Sequence, residues 1–215
     1  MLVPFGRVDE AWREKAKRQA EAINSVGLFT NIGEALEKAT AISKKSKGKA
    51  HLILLTDGMV DIDKAPEVNA REWRRIVDEI LPKIREAGFA VHTVALSDNA
   101  DTDLMKRLSQ ETDGHAGVAT TADDLMPAFL KAFDAAAPSQ QLPLAGNRFV
   151  VDSSVEEFTA LMFRNSPNDE IILVGPDGIE MQEGSLNSDV SWHHTGSYDL
   201  VTITRPLEGE WVVKG

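Results

Sequence analysis

The stretch His51-Leu52-Ile53-Leu54-Leu55-Thr56-Asp57-Gly58 decides the fold. A short apolar run that stops at turn residues is the pattern of a strand buried on both faces of a parallel sheet. Parallel sheets are built from alternating strands and helices, so the flanks should read as helices. Upstream, Ile32, Ala35, Leu36, Ala39 and Ile42 recur at helical spacing. Asn31 and Glu34 stand in capping-box positions at the start of that helix. Lys44 to Lys49 reads as a solvated turn, its cations well placed at the helix C-terminus. An earlier helix over 9–24 carries Trp12, Ala16, Ala20 and Ile23 on one face.

Downstream, a helix near 69–87 shows the stripe Trp73, Ile76, Val77, Ile80, Leu81 and Ile84 and ends at Gly88. Pro82 inside it should kink it or disturb one turn. Phe89 to Leu96 is the next strand. Asp101 or Thr102 starts a helix over 103–108, and Ala116 to Thr120 is a third strand. Thr121 or Asp123 caps a helix carrying Leu125, Met126, Phe129, Leu130 and Phe133. This alternation predicts an α/β domain with a Rossmann-like parallel sheet over residues 1–136.

The pattern then changes. Ala135-Ala136-Ala137-Pro138-Ser139-Gln140-Gln141-Leu142-Pro143 begins a linker, placed at 137–146. From 147 to 215 short β-rich runs alternate with turns: Phe149–Val151, Phe158–Phe163, Ile171–Val174, Tyr198–Thr204 and Trp211–Val213. Gly175-Pro176-Asp177-Gly178 is a strong turn signal between two of them. Evenly spaced short strands predict a small all-β, sandwich-like domain, and 69 residues are short of the roughly 100 of a full sandwich. Charge divides the chain at the same place. The net charge is -11, and 12 acidic against 4 basic residues in 147–215 supply most of it.

Hydrophobic residues at 42% and charged residues at 27% give ordinary globular material, enough for a core. An acidic surface repels phosphates, which argues against nucleic acid and anionic membranes as partners. The absence of cysteine removes disulfides, thiolate metal sites and a Cys nucleophile. No apolar run approaches the roughly 20 residues of a membrane span, and the N-terminus does not read as a signal peptide. Serine nucleophile elbows, Walker loops and dinucleotide fingerprints are absent.

The candidate site residues are Thr30 and Asp57. Asp57 sits where a parallel strand ends, the place where open α/β sheets bind ligands. A carboxylate and a hydroxyl are hard ligands suited to Mg²⁺ or Ca²⁺. On spacing alone the competing reading is structural, with Asp57 capping a turn and Thr30 starting a helix. Other candidates are weaker. His193 and His194 are adjacent on a strand and point to opposite faces. Asp98, Asp101 and Asp103 read as a helix cap, and Asp61 and Asp63 as solvated loop charges.

The order of these segments, with Phe29-Thr30-Asn31-Ile32-Gly33 before Leu54-Leu55-Thr56-Asp57-Gly58, resembles the von Willebrand factor A (VWA) family over about residues 1–136. More narrowly, the chain resembles a bacterial group of VWA proteins. Its Phe149–Ser154 and Pro206–Trp211 stretches are similar to the sandwich that follows VWA in some bacterial proteins and in calcium-activated chloride channel regulators. The resemblance implies a metal-ion-dependent adhesion site in which Thr30 and Asp57 are the second and third elements. The first element, Asp-x-Ser-x-Ser, does not precede Thr30; Ser25 is the only nearby serine. By resemblance the chain therefore begins inside a VWA domain, with Met1 an internal methionine and the sheet partial.

The function implied by the resemblance is a non-catalytic protein-binding or scaffold module of the bacterial cell envelope. Mg²⁺ or Ca²⁺ would be held weakly or not at all. Two other readings are a purely structural interaction protein and, further off, a metal-dependent hydrolase. The family's strand order, 3-2-1-4-5-6, places the missing first strand beside 51–55. That edge should therefore be open, and something should cover it: residues 1–5 as a substitute strand, a segment of the sandwich, or self-association through the strand at 51–55.

Overall fold

The computed structural model describes every residue except 1, 5, 25, 26, 44–49, 98, 139, 165, 167 and 186, with the side chains of 42, 43, 122 and 123 also left aside. Ser25, the lysine turn at 44–49 and Asp98 thus lie outside the described residues. The chain divides into two compact units, Met1–Pro138 and Ser139–Gly215.

In the first unit, β1 (His51–Thr56), β2 (Ala90–Ala95) and β3 (Ala116–Val118) form a parallel sheet in that order. Register sets the faces. Leu52 lies opposite Val91 and Leu54 opposite Thr93, on one face. That face packs against α2 (Ile32–Ser43), α5 (Thr102–Gln110) and the helical run of α3 (Pro66–Arg75), the turn Ile76–Ile80 and α4 (Leu81–Glu86); Leu36, Ile76, Ile80, Ile84, Leu104 and Leu108 make the main core. On the other face Ile53 and Val94 meet Ala128 and Ala132 of α6 (Ala122–Ala136).

Pro82 has the effect its chemistry requires. Residues Ile76–Ile80 between α3 and α4 wind as a π-helical turn, so the helix absorbs the proline's missing donor in one wide turn. The run begins at Pro66, earlier than the stripe at 69–87 shows, because proline suits a first helical turn. Asn31 caps α2: its Oδ1 accepts from the Glu34 N–H at 3.0 Å, and its Nδ2 donates to Glu34 Oε2 at 3.0 Å. Asp101 caps α5 and Thr121 caps α6.

Three expectations need correction. Residues 9–24 do not bury an apolar face. The helix α1 is Glu10–Ala20 and has no buried residue, and Ile23 lies beyond its end, exposed. Trp12, Ala16 and Ala20 offer too little apolar area among the helix's six charged residues, and the Trp12 indole donates instead to the Pro4 carbonyl at 2.9 Å. The strand buried on every side is β2, whereas β1 is half-buried and Leu55 is 39% exposed. The third strand stops at Val118, two residues early.

The second unit holds two antiparallel sheets. One has the order β4-β10-β6-β7 (Arg148–Val151, Gly209–Lys214, Ile172–Val174, Glu180–Met181). The other is β5-β9-β8 (Glu157–Phe163, Tyr198–Thr204, Val190–His194). Both face one core, in which Phe158 meets Trp211 edge-on at 5.1 Å between ring centroids and Phe149 at 5.2 Å. The turn after β6 closes as its residues require, the Gly178 N–H donating to the Gly175 carbonyl at 2.9 Å, with Gly178 at φ 79.

Candidate binding site at the carboxyl end of the parallel sheet

Where β1 runs out, Thr56 turns the chain and the Gly58 N–H reaches back to its Oγ1 at 3.3 Å. Asp57 stands exposed at this turn. Its backbone carbonyl accepts from Ser97 Oγ at 2.6 Å, which ties the end of β1 to the segment after β2. Among the described residues no hydrogen bond to the Asp57 carboxylate is formed, so Asp57 does not act as the turn cap of the structural reading.

Thr30 is brought to the same place by backbone pairing. It donates to the Asp61 carbonyl at 2.6 Å and accepts from the Asp61 N–H at 3.1 Å. Its Oγ1 lies 3.3 Å from where a Cβ on Gly58 would stand. The threonine hydroxyl therefore abuts the residue next to Asp57, and the helix start is left to Asn31.

The other acids nearby are already committed. The Asp101 carboxylate is buried, accepting from the Leu104 N–H at 2.9 Å and from the Trp73 indole at 2.7 Å. Asp61 accepts from Asn69 Nδ2 at 3.0 Å, and Asp63 from the Ala65 N–H at 2.9 Å. These are the cap and loop roles expected of them. Two oxygen donors, Thr30 and Asp57, do not amount to the six to eight ligands of Ca²⁺ or an octahedral Mg²⁺ shell. Among the described residues no group of three or more His, Asp or Glu is disposed to hold an ion. Exposed apolar residues next to Thr30 and Asp57 in sequence escaped the sequence reading: Leu28 is 86% exposed, Phe29 49% and Met59 61%.

The family model of the von Willebrand factor type A domain matches residues 10–132. The chain belongs to the VWA family. VWA domains are generally non-catalytic interaction modules, and they can bind divalent metals. A solved structure described as von Willebrand factor type A from Catenulispora acidiphila is similar at 16% identity with a TM-score of 0.46. That match covers 98% of this chain and 43% of the other, so the chain spans less than half of that VWA protein. No curated protein matches the chain.

A second polar cluster, in the unit Ser139–Gly215, was missed from sequence. Asp199 on β9 is fully buried. It accepts from Arg164 Nε at 2.8 Å, from the Trp192 indole at 3.0 Å and from His194 Nδ1 at 2.9 Å. Burial pushes its carboxyl up. The hydrogen bonds from Trp192, His194 and Arg164, with the arginine's charge, outweigh that and hold it below the usual carboxylate range. His193 is exposed and His194 turns inward, so the two imidazoles do point apart.

Proposed function

We propose that this chain is a protein-binding or scaffold module whose docking face is the carboxyl end of the parallel sheet. One observation carries the reading. An exposed carboxylate with no bond among the described residues, Asp57, adjoins Gly58, against which the Thr30 hydroxyl stands, and the sequence neighbours Leu28, Phe29 and Met59 are exposed. A single polar anchor in an apolar surround is the composition of an interface centre. Membership in the VWA family, whose domains generally serve interaction, supports the same reading. A bacterial envelope location is part of the proposal and rests on family resemblance alone.

The partner's contact on Asp57 is a cationic or hydrogen-donating group, because two oxygen ligands do not hold a cation by themselves. The test is capture from an envelope extract of the source bacterium by the wild type, Asp57→Ala and Phe29→Ala, each with Mg²⁺ and with a chelator. The proposal expects one partner retained by the wild type and lost from both variants. Equal capture by all three contradicts it. Loss on chelation alone would return the cation to the site.

A further inference from the structure

His92 stands on β2, the central strand of the parallel sheet, and is only 2% exposed. Its register partner on β1 is Ile53, so its side chain shares a face with Ile53 and with His51, two residues earlier. Both ring nitrogens of His92 are engaged. Nδ1 accepts from the His115 backbone N–H at 3.1 Å, and Nε2 lies 2.9 Å from His51 Nδ1. The two rings are 15° from coplanar with centroids 5.2 Å apart. The centroids are thus much farther apart than the nitrogens, so the rings meet edge to edge, as an N–H···N bond requires.

These contacts assign the protons. A neutral imidazole has one donor and one acceptor nitrogen. Nδ1 of His92 faces an N–H and is the acceptor, so Nε2 carries the hydrogen and donates to His51 Nδ1. The chain of bonds runs from the residue before β3, through β2, to the first residue of β1. The Thr93 N–H returns to the His115 carbonyl at 2.7 Å and closes it. A proton added to either ring falls on an acceptor already in use. At His92 Nδ1 it sets one N–H against that of His115, and at His51 Nδ1 it sets one against His92 Nε2–H. The helix α6 packs on this face through Ala128 and Ala132, and its last turns carry exposed Lys131 and half-buried Asp134. The turn before β3 carries exposed Asp113. None of these charges alters which ring nitrogens must accept.

We propose that His51 and His92 form a proton-operated latch, which ties the amino ends of the three strands together at neutral pH and releases them in mild acid. The latch needs both rings neutral. It therefore holds above the ordinary histidine value of about 6.5 and fails as pH falls below it. His51, half-buried where His92 is fully buried, takes the first proton. The latch lies at the opposite end of the strands from Asp57 and does not rest on the docking reading.

Amide exchange of the full chain between about pH 7.5 and about pH 5.5, corrected for the intrinsic rate, tests this across the histidine range. Protection at 90–93 and at 115 should fall about tenfold in acid, the order of one lost hydrogen bond. Residues 139–215, which hold His193 and His194, are read separately. His92→Phe keeps a buried ring without proton sites and should abolish the response. Should that variant not fold, His51→Asn offers an oxygen acceptor in place of Nδ1; it should keep the neutral-pH protection and shrink the acid response. His115→Gln keeps the backbone N–H and should respond as the wild type does. Nitrogen NMR of the His92 ring at neutral pH should show Nε2–H and a bare Nδ1. Protection that does not change with pH overturns the proposal, as does a His92 ring protonated at Nδ1 at neutral pH. An undiminished response in His51→Asn, or its loss in His115→Gln, overturns it equally.

Discussion

Thr30 and Asp61 exchange both backbone hydrogen bonds, at 2.6 and 3.1 Å. This bridge joins the loop before α2 to the loop after β1 and sets the threonine hydroxyl against Gly58. The anchoring is done by backbone, so the two candidate side chains are free of a structural duty. Thr30→Ala and Asp57→Ala should each shift stability by no more than about 0.5 kcal/mol, the ordinary range of surface substitutions. Urea denaturation of the two variants checks this. A large loss in either would mean that its side chain holds the loops together.

Asp199 makes the opposite prediction. Removing it leaves Arg164, whose side chain is only 7% exposed, as an unpaired charge. Asp199→Ala should cost about 3–5 kcal/mol, the usual range for breaking a buried pair from one side. Because the folded carboxyl titrates below its ordinary value, its contribution is complete above about pH 4 and fades as pH falls further. Wild-type stability should therefore drop on acidification below that point, and Asp199→Ala should flatten the drop. Denaturant midpoints measured from neutral pH downward read both effects.

Two glycines separate a steric demand from a conformational one. A Cβ on Gly114 would stand 1.8 Å from the Val91 carbonyl oxygen, which is backbone of the central strand and cannot swing aside. Gly114→Ala should cost about 2–3 kcal/mol, as overpacking does. Gly88, at φ 74 with open space around it, should cost only about 1–2 kcal/mol on the same change. Thermal melts of the two variants, with Gly114→Ala the lower, would agree.

Helix α1 buries none of its side chains. Helices this short are marginal when nothing packs on them. Its amides should exchange far faster than those of α4, and Trp12→Ala should leave the global midpoint nearly unchanged. Slow exchange across α1 would show packing that the fold does not contain.

The parallel sheet was legible because its signal is local. Periodicity at 32–42 and 73–84, and the apolar run at 51–55, each stand within one element. Where the reading failed, the deciding quantity was elsewhere in the chain. The same run of Leu and Ile serves a central or an edge strand, and only the pairing order makes β1 the half-buried one. Ala16 and Ala20 scored as an apolar stripe, yet two methyls bury too little to dock a helix. Short β7 and polar β8 gave no run to recognise. The Asp199 cluster joins Arg164 to a residue 35 positions away, a distance at which no spacing rule operates. Thr30 and Asp57 were named by order along the chain. The exposed Leu28, Phe29 and Met59 were not, because exposure is a property of the folded surface.

The face that meets a partner is the central claim. The most direct measurement is amide exchange on the complex formed with the captured partner, compared with the chain alone. Docking at the carboxyl end of the sheet predicts slowed exchange at 27–31 and 57–61, little change across 139–215, and loss of the effect in Asp57→Ala. Protection confined to 139–215, with 27–31 and 57–61 unchanged, would contradict it.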